Sequence, residues 1–574
     1  MGRGAAFQSR ASGCAARTVT ATPDLPPGNY NRTVARPLAP TRLAWLLALF
    51  VAGLGTISAQ QADDAAAAPP LPQGRLILVL PFANRSPQPA LDWIGESFPE
   101  VLNLRLASAG FLPISREDRL YALDHLGLPQ SFQPSRATTL RMAETLDANF
   151  VVVGSYTTDG NTLKATAQIL DVNALQLSAP LEEQADMTRL LTLDDSLAWR
   201  VAKQLDPSYS VAEQTFVAAD AGLRLEAFEN YLRGLVGAQP EERIRHLLEA
   251  VRLAPEYPSA WLALGMAYFA NQQYEPAAAA LGHLPTDDPN ALGADFYRGL
   301  SYFFTGSYIK AEDAFAFVST RLPLPEVVNN QAVAASRRGK DATPLFEQAA
   351  GADPKDADLH FNLAVSLRRR NDIAGATREI DQALKLHPQD TEAQSFSAEL
   401  ASGGKTAVSF APDSASGIPL ERVKRTYNEA SFRQAAFELE QVQTFRLSSL
   451  RPQERAAALN KDGLLFLNRG LMLEAEREFQ AALQADSNSA EARAGLAQVR
   501  ERSGDLNAAR EEAKQSLQLK PNATAHLVLA RIDLQGNQLG DAATEVSEAL
   551  RLEPNSPAAR GMRQALESRG QQVP

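Results

Sequence analysis

The spacing of apolar positions changes three times along the chain. Residues 43–57 (LAWLLALFVAGLGTI) form an uninterrupted apolar run without a charge. From residue 75 to about 207, short strand-like runs alternate with helical stretches. Residues 75–82 (RLILVLPF) predict a buried strand, halted by Pro81 and a turn over 84–87. Over residues 90–109, Leu91, Ile94, Phe98, Val101, Leu102 and Leu106 share one helical side, and Gly110 closes the helix. A second strand is expected over 111–114, and helices over 116–126 and 135–147. Runs at 150–157 and 163–171 flank Asp159-Gly160-Asn161 and predict a hairpin, because Gly supplies the positive φ a tight turn needs. A helix over about 188–204 ends before Pro207. Asn84 and Arg85 read as a turn capping the next helix.

From about residue 223 to 555 the pattern recurs every 34 residues or so. Small residues in one predicted helix stand twelve positions before an alanine in the next. The pairs are Gly265 and Ala277, Gly299 and Ala311, Ala364 and Ala376, Gly463 and Ala475, Ala497 and Ala509, and Ala530 and Ala542. Small residues at matching positions let paired helices approach closely. Large ones, among them Trp261, Tyr268, Tyr302, Phe315 and Phe479, fill the spaces between pairs. Prolines such as Pro323, Pro388, Pro521 and Pro554 end the units. Weaker units span about 224–255 and 325–354, and residues 420–450, with Tyr427, Phe432, Ala435 and Leu439, read as a divergent hairpin. Residues 401–419 lack a period and are rich in Gly, Ser and Pro, so they predict a linker between a front block (220–400) and a back block (420–574). The last helix, about 556–568, is polar enough to cap a stack.

These repeats closely resemble tetratricopeptide repeats. The resemblance implies helical hairpins stacked into a right-handed superhelix that binds other proteins or peptides on its concave face. Residues 75–207 resemble the TolB-type amino-terminal and FlgO-like α/β domains of bacterial envelope proteins. The likeness rests on Val79-Leu80-Pro81-Phe82, Asn84, Ser86, Ile114-Ser115-Arg116 and the run from Ala148 to Tyr156. It implies a non-catalytic interaction module. The expected fold is therefore α+β overall and mostly α: a small α/β domain followed by a helical solenoid.

Charge and composition narrow the function. A net charge of -11 argues against nucleic acid as a partner. The single cysteine, Cys14, leaves no intramolecular disulfide and no cysteine metal site. Six scattered histidines show no His-x-x-x-His pair, and neither a phosphate loop nor a Gly-x-Ser-x-Gly elbow is present. No catalytic residue, metal or cofactor is expected. The apolar run follows Arg32, Arg36 and Arg42 and precedes Ser58-Ala59, which predicts an export signal over residues 1–59 cut after Ala59, with 60–74 as a flexible linker. An uncleaved membrane anchor is the alternative, although fifteen residues reach only roughly 22 Å of a roughly 30 Å hydrocarbon core. Without residues 1–59 the net charge becomes -16. The partners expected are then envelope proteins.

First-helix positions between the packing residues are the candidate contact sites. They are Phe269, Phe296, Leu300, Phe303 and Phe304, followed by Arg337, Arg338, Asn362, Arg368 and Arg369. An aromatic patch beside arginines suits an extended peptide with apolar anchors and acidic groups. The competing reading makes the aromatics inter-repeat core and the arginines a solvated face. Lys and Asn at the groove positions of carboxylate-clamping chaperone repeats are missing: Leu262 and Met266 stand there in one unit, Ala494 and Gln498 in another. An exported scaffold and a sensory module with a ligand-binding α/β domain both fit these features. A glycan-processing enzyme lacks a carboxylate pair in a defined cleft.

Overall fold

A computed structural model describes residues 76–129, 134–218, 222–403, 418–427 and 445–574. The expected leader, signal and first linker, and most of the second linker, lie outside them. Strand β1 (Leu76–Val79) enters the core at once, because Ile77, Leu78 and Val79 are all buried. It is followed by β2 (Ala83–Asn84), α1 (Ile94–Ser108), β3 (Leu112–Pro113), α2 (Arg116–His125) and α3 (Arg136–Thr145). Then come β4 (Phe150–Asp159), β5 (Thr162–Asp171), β6 (Gln176–Leu177), β7 (Leu181–Asp186) and α4 (Leu190–Leu205). The sheet runs β3-β1-β4-β5-β6, with β2 on β4 and β7 on β5. Strand β1 is parallel to β3 and β4, and the β4–β5 pair is the expected hairpin, turning with positive φ at Gly160. Asn84 organises its turn, donating to Gln88 O at 3.0 Å and Asp92 Oδ1 at 2.7 Å.

The short helix α5 (Glu213–Ala218) leads into the solenoid. Its front helices are α6 (Leu225–Val236), α7 (Pro240–Leu253), α8 (Pro258–Ala270), α9 (Tyr274–Leu281), α10 (Ala291–Phe304) and α11 (Tyr308–Ser319). These are followed by α12 (Pro325–Arg337), α13 (Thr343–Ala352), α14 (Ala357–Arg369), α15 (Ile373–Leu386) and α16 (Thr391–Ala401). The back helices are α17 (Pro452–Asn468), α18 (Met472–Ala485), α19 (Ala490–Arg502), α20 (Leu506–Leu519), α21 (Ala523–Gln535), α22 (Leu539–Leu552) and α23 (Pro557–Ser568). The chain is thus α+β and mostly α. Among the described residues no helix is long and apolar enough to cross a membrane.

Hairpin after hairpin turns through one residue of positive φ: Gln272, Gly306, Gly339, Asn371, Gly470, Gly504 and Asn537. The packing inside each hairpin refines the expectation from sequence. The first-helix glycine does not face the alanine twelve positions on; it faces the bulky residue one turn beyond it. A Cβ on Gly265 would stand 2.5 Å from Leu281, one on Gly299 2.8 Å from Phe315, and one on Gly463 2.7 Å from Phe479. All three are closer than real Cβ atoms come, so each glycine makes room for a large side chain that fills the hairpin.

The α/β domain and the solenoid share one apolar core. Phe98 of α1, Leu197 of α4, Phe228 of α6, Leu264 of α8 and Leu473 of α18 belong to a single cluster. Inside this junction Tyr231 donates to Glu100 Oε2 at 2.7 Å, and neighbouring Glu96 is paired with Arg116 and Arg119. Burial, reinforced by the charge of Glu96, pushes the Glu100 carboxyl up to about 7. A carboxyl raised in the folded state loses stability as pH rises from its ordinary value through the folded one. Stability should therefore fall between about pH 4.5 and 7. Glu100→Gln keeps an acceptor for Tyr231 without the charge. It should flatten that fall and add roughly 1–3 kcal/mol at pH 8 in urea titrations; equal slopes for both proteins would count against this reading.

One expectation needs correction. Residues 420–450 were to form a divergent hairpin; residues 418–427 (IPLERVKRTY) have no helical structure, 428–444 lie outside the described residues, and 445–448 are helical. The backbone of this segment is hydrogen-bonded by side chains of other helices rather than by its own carbonyls.

Candidate peptide-binding groove

Residues 418–427 lie as an extended strap across the first helices of the front block. Ile418 packs with Phe361 of α14 and Phe396 and Leu400 of α16. Tyr427, at the other end, meets Phe296 of α10 with ring centroids 4.9 Å apart. Its hydroxyl would lie 2.9 Å from a Cβ on Gly293, so glycine opens that end of the groove. The strap therefore runs from α16 back to α10, against the order of the repeats.

Three buried asparagines hold its backbone. Asn362 of α14 accepts from Arg422 N at 2.6 Å and donates to Arg422 O at 2.7 Å. Asn330 of α12 does the same for Lys424, accepting and donating at 2.7 Å. Asn329 donates to Arg422 O at 3.0 Å, and Asn362 donates to Asn329 Oδ1 at 2.7 Å. An amide side chain carries one donor group and one acceptor, which is the complement of one residue of extended backbone. These contacts ignore the sequence of the bound segment.

Side chains along the strap alternate between two faces, as an extended chain requires. Glu421 enters a pocket made by Arg337, Arg369 and the hydroxyl of Ser336, and its side chain is fully buried. Arg337 Nη2 also donates to Glu421 O at 2.9 Å. On the same side Val423 joins the apolar cluster of α10, and the Arg425 guanidinium lies 5.4 Å from the Phe304 ring. On the opposite side Arg422 reaches Asp358 at 2.9 Å, Asp390 at 2.6 Å and Glu392 at 2.7 Å, and also lies 3.7 Å over the Phe361 ring. Lys424 bridges Asp356 at 2.8 Å and Asp358 at 2.7 Å.

The electrostatics follow from this pairing. Hydrogen bonds from Arg422 hold the Asp390 carboxyl below its usual range. Burial alone would raise the pKa of Asp358, but Lys424 and Arg422 outweigh it and the net shift is downward. Burial would lower that of Lys424, and Asp358 and Asp356 raise it instead.

Among the sites expected from sequence, the groove brings together Phe296, Phe303, Phe304, Arg337, Asn362 and Arg369. Phe303 supports Arg337, whose guanidinium lies 6.0 Å from its ring. Leu300 is fully buried in the α10 cluster, and Phe269 packs edge-to-face with Tyr274 and Tyr297. Arg338 turns to Glu312 of α11, and Arg368 is buried against Glu399 of α16 at 3.1 Å. Residues missed from sequence are Asn329, Asn330, Ser336, the four acidic groups and the occupant itself. Among the described residues no cluster of His, Cys, Asp or Glu is arranged to hold a metal.

Family models agree with the repeat reading. Models of the tetratricopeptide repeat match residues 334–400, and again 460–524 and 495–557. The chain therefore carries tetratricopeptide repeats in both its front and its back block, repeats of a kind that bind other proteins. Among solved structures it is similar to MamA 41-end from Desulfovibrio magneticus RS-1, with 20% identity and a TM-score of 0.27 over 30% of this chain and 100% of that one. It is also similar to the LpoB C-terminal domain from Salmonella enterica, with 19% identity and a TM-score of 0.18 over 21% of this chain and 87% of that one. No curated protein matches it.

Proposed function

We propose that this protein is a non-catalytic interaction scaffold of the bacterial cell envelope. Its front solenoid block takes an extended peptide across the first helices, and its TolB- or FlgO-like α/β domain supplies a second contact surface. The observation that carries the reading is the asparagine-lined groove, where Asn362 and Asn330 each engage one backbone residue through both donor and acceptor. Such contacts fit any extended chain, and the Arg337–Arg369 pocket then selects an acidic side chain. Export rests on the apolar run at residues 43–57 with its basic flank.

The test is cross-linking in intact cells followed by capture of the full chain. Envelope proteins should be recovered with the native protein and drop at least tenfold with Asn330→Ala/Asn362→Ala. Equal recovery from both would remove the groove from the function. N-terminal sequencing of the mature protein should begin at Gln60, and a chain found in the cytoplasm would overturn the envelope assignment.

A further inference from the structure

The groove is a built site already filled by the chain's own residues, and the occupant describes what the groove recognises. We infer that residues 418–427 are a ligand held in cis, which a partner displaces with an extended segment of the same chemistry. That segment carries a glutamate, then a basic residue, an aliphatic residue and a second basic residue, with an aromatic residue three positions further on. The inference rests on the groove reading above and adds both the partner's chemistry and a regulatory state to it.

The pattern comes from the two faces of the strap. Glu421 is selected by the guanidinium groups of Arg337 and Arg369. Arg422 and Lys424 are selected by Asp356, Asp358, Asp390 and Glu392. Val423 and Tyr427 seat on the aromatic wall of α10. Every backbone contact comes from side chains, so a second peptide can replace the strap without unravelling a helix.

The strap is also held in a way that permits exchange. Its main interactions are ion pairs, whose attraction is largely offset by the desolvation of both charges. Its apolar anchors are few: Ile418, Val423 and Tyr427. Covalent attachment compensates for this modest affinity, because a tethered ligand has an effective concentration of about the millimolar range. A free peptide of equal affinity is therefore excluded at micromolar concentration, whereas a tighter or multivalent partner is not. Four of the ten strap residues are charged, which a core element of a solenoid does not need but a selective ligand does.

The experiment uses a fluorescent decapeptide spanning residues 418–427 as probe and the full chain as receptor. Glu421→Lys places a cation against Arg337 and Arg369 and releases the strap from the groove; Arg422→Ala/Lys424→Ala is the second release variant. Each should melt at the temperature of the native protein within a few degrees, and each should bind the probe at least tenfold tighter than the native chain does. Adding Asn362→Ala to a release variant should abolish that gain, as should replacing the glutamate of the probe by lysine. If the native chain binds the probe as tightly as both folded release variants, cis-occupation is overturned and the groove reading stands. If neither release variant binds the probe, the groove reading falls and the inference falls with it.

Discussion

Arg369→Ala should detach residues 418–427 from the groove while leaving the helical array folded. The Glu421 side chain has no exposed surface and its carboxylate meets Arg369, Arg337 and Ser336. Truncating one partner of a buried ion pair costs up to about 3–5 kcal/mol, and here Arg337 is left as the single counterion of a fully desolvated Glu421. The chain need not bear that cost in place. Withdrawing the strap returns Glu421 to water and forfeits only the strap's own contacts, so release replaces global unfolding. Hydrogen exchange reads this directly, since the amides of Arg422 and Lys424 are protected by Asn362 and Asn330 and by no helix. Their exchange should quicken by about a hundredfold or more, at 1.4 kcal/mol per tenfold, while the amides of α12 and α14 hardly change. Arg369→Lys should fall between, keeping the charge without the planar fork. Arg337→Leu/Glu421→Leu/Arg369→Leu should recover part of the loss, since removing all three buried charges is cheaper than stranding one of them. Unchanged exchange at Arg422 and Lys424 would show that the pocket does not hold the strap.

Acid should act in the same direction. Asp358 and Asp390 have carboxyls held below their ordinary range by Arg422 and Lys424. A carboxyl depressed in the folded state contributes stability above its unfolded value and loses it as pH falls through the folded one. Strap docking therefore weakens only below the ordinary aspartate range and is insensitive to pH near neutrality.

The elements that proved legible in sequence are those whose apolar spacing answers to one partner layer. Strand β1 is buried from Ile77 to Val79 and was read from an unbroken apolar run; the hairpins were read from glycine and alanine at a fixed spacing. What escaped was polar on its face. Strand β7 (LEEQAD) pairs along β5 at the sheet edge, where alternate residues stay exposed, so no apolar period marks it. In the strap, Ile418, Val423 and Tyr427 are five and four residues apart, which imitates a helical stripe; its true period of two is carried by charges. Asn362 was a candidate contact residue, but Asn329 does not stand out within its amphipathic helix; both are fully buried. A usable signal was present, since they are 33 residues apart at the same position of consecutive repeats. Arg337 and Arg369 were legible only as members of an arginine cluster suited to acidic groups, with a solvated face as the competing reading. Arg338 and Arg368 look the same in sequence, and only side-chain direction on the helix separates them.

Glu476→Ala should separate the back block from the junction between the α/β domain and the solenoid. By sequence Glu476 is one of several charges on α18, but its side chain is fully buried. It accepts from Ala212 N at 3.0 Å and from the Thr215 hydroxyl, both at the entrance to or within α5, and from Arg500 of α19 at 2.6 Å. Burial raises its pKa and Arg500 opposes that shift, so the pair remains charge-coupled inside the interface. Alanine would strand the Arg500 guanidinium, which is only 12% exposed, together with the Ala212 amide. That should cost about 3–5 kcal/mol. The surrounding polar contacts are mostly exposed and weaker: Arg477 donating to Ser108 O at 3.1 Å, Gln480 exchanging hydrogen bonds with Ser210, and Arg469 facing Asp287 at 3.5 Å, beside Leu473 in the shared core. Each block carries its own hairpin cores, so the expected result is two resolved thermal transitions in place of one, with a larger radius of gyration by small-angle scattering. Glu476→Gln retains the acceptor for Ala212 and Thr215 and should lose less. A variant that still melts in one transition with the native dimensions would mean that the back block is held by its apolar contacts alone.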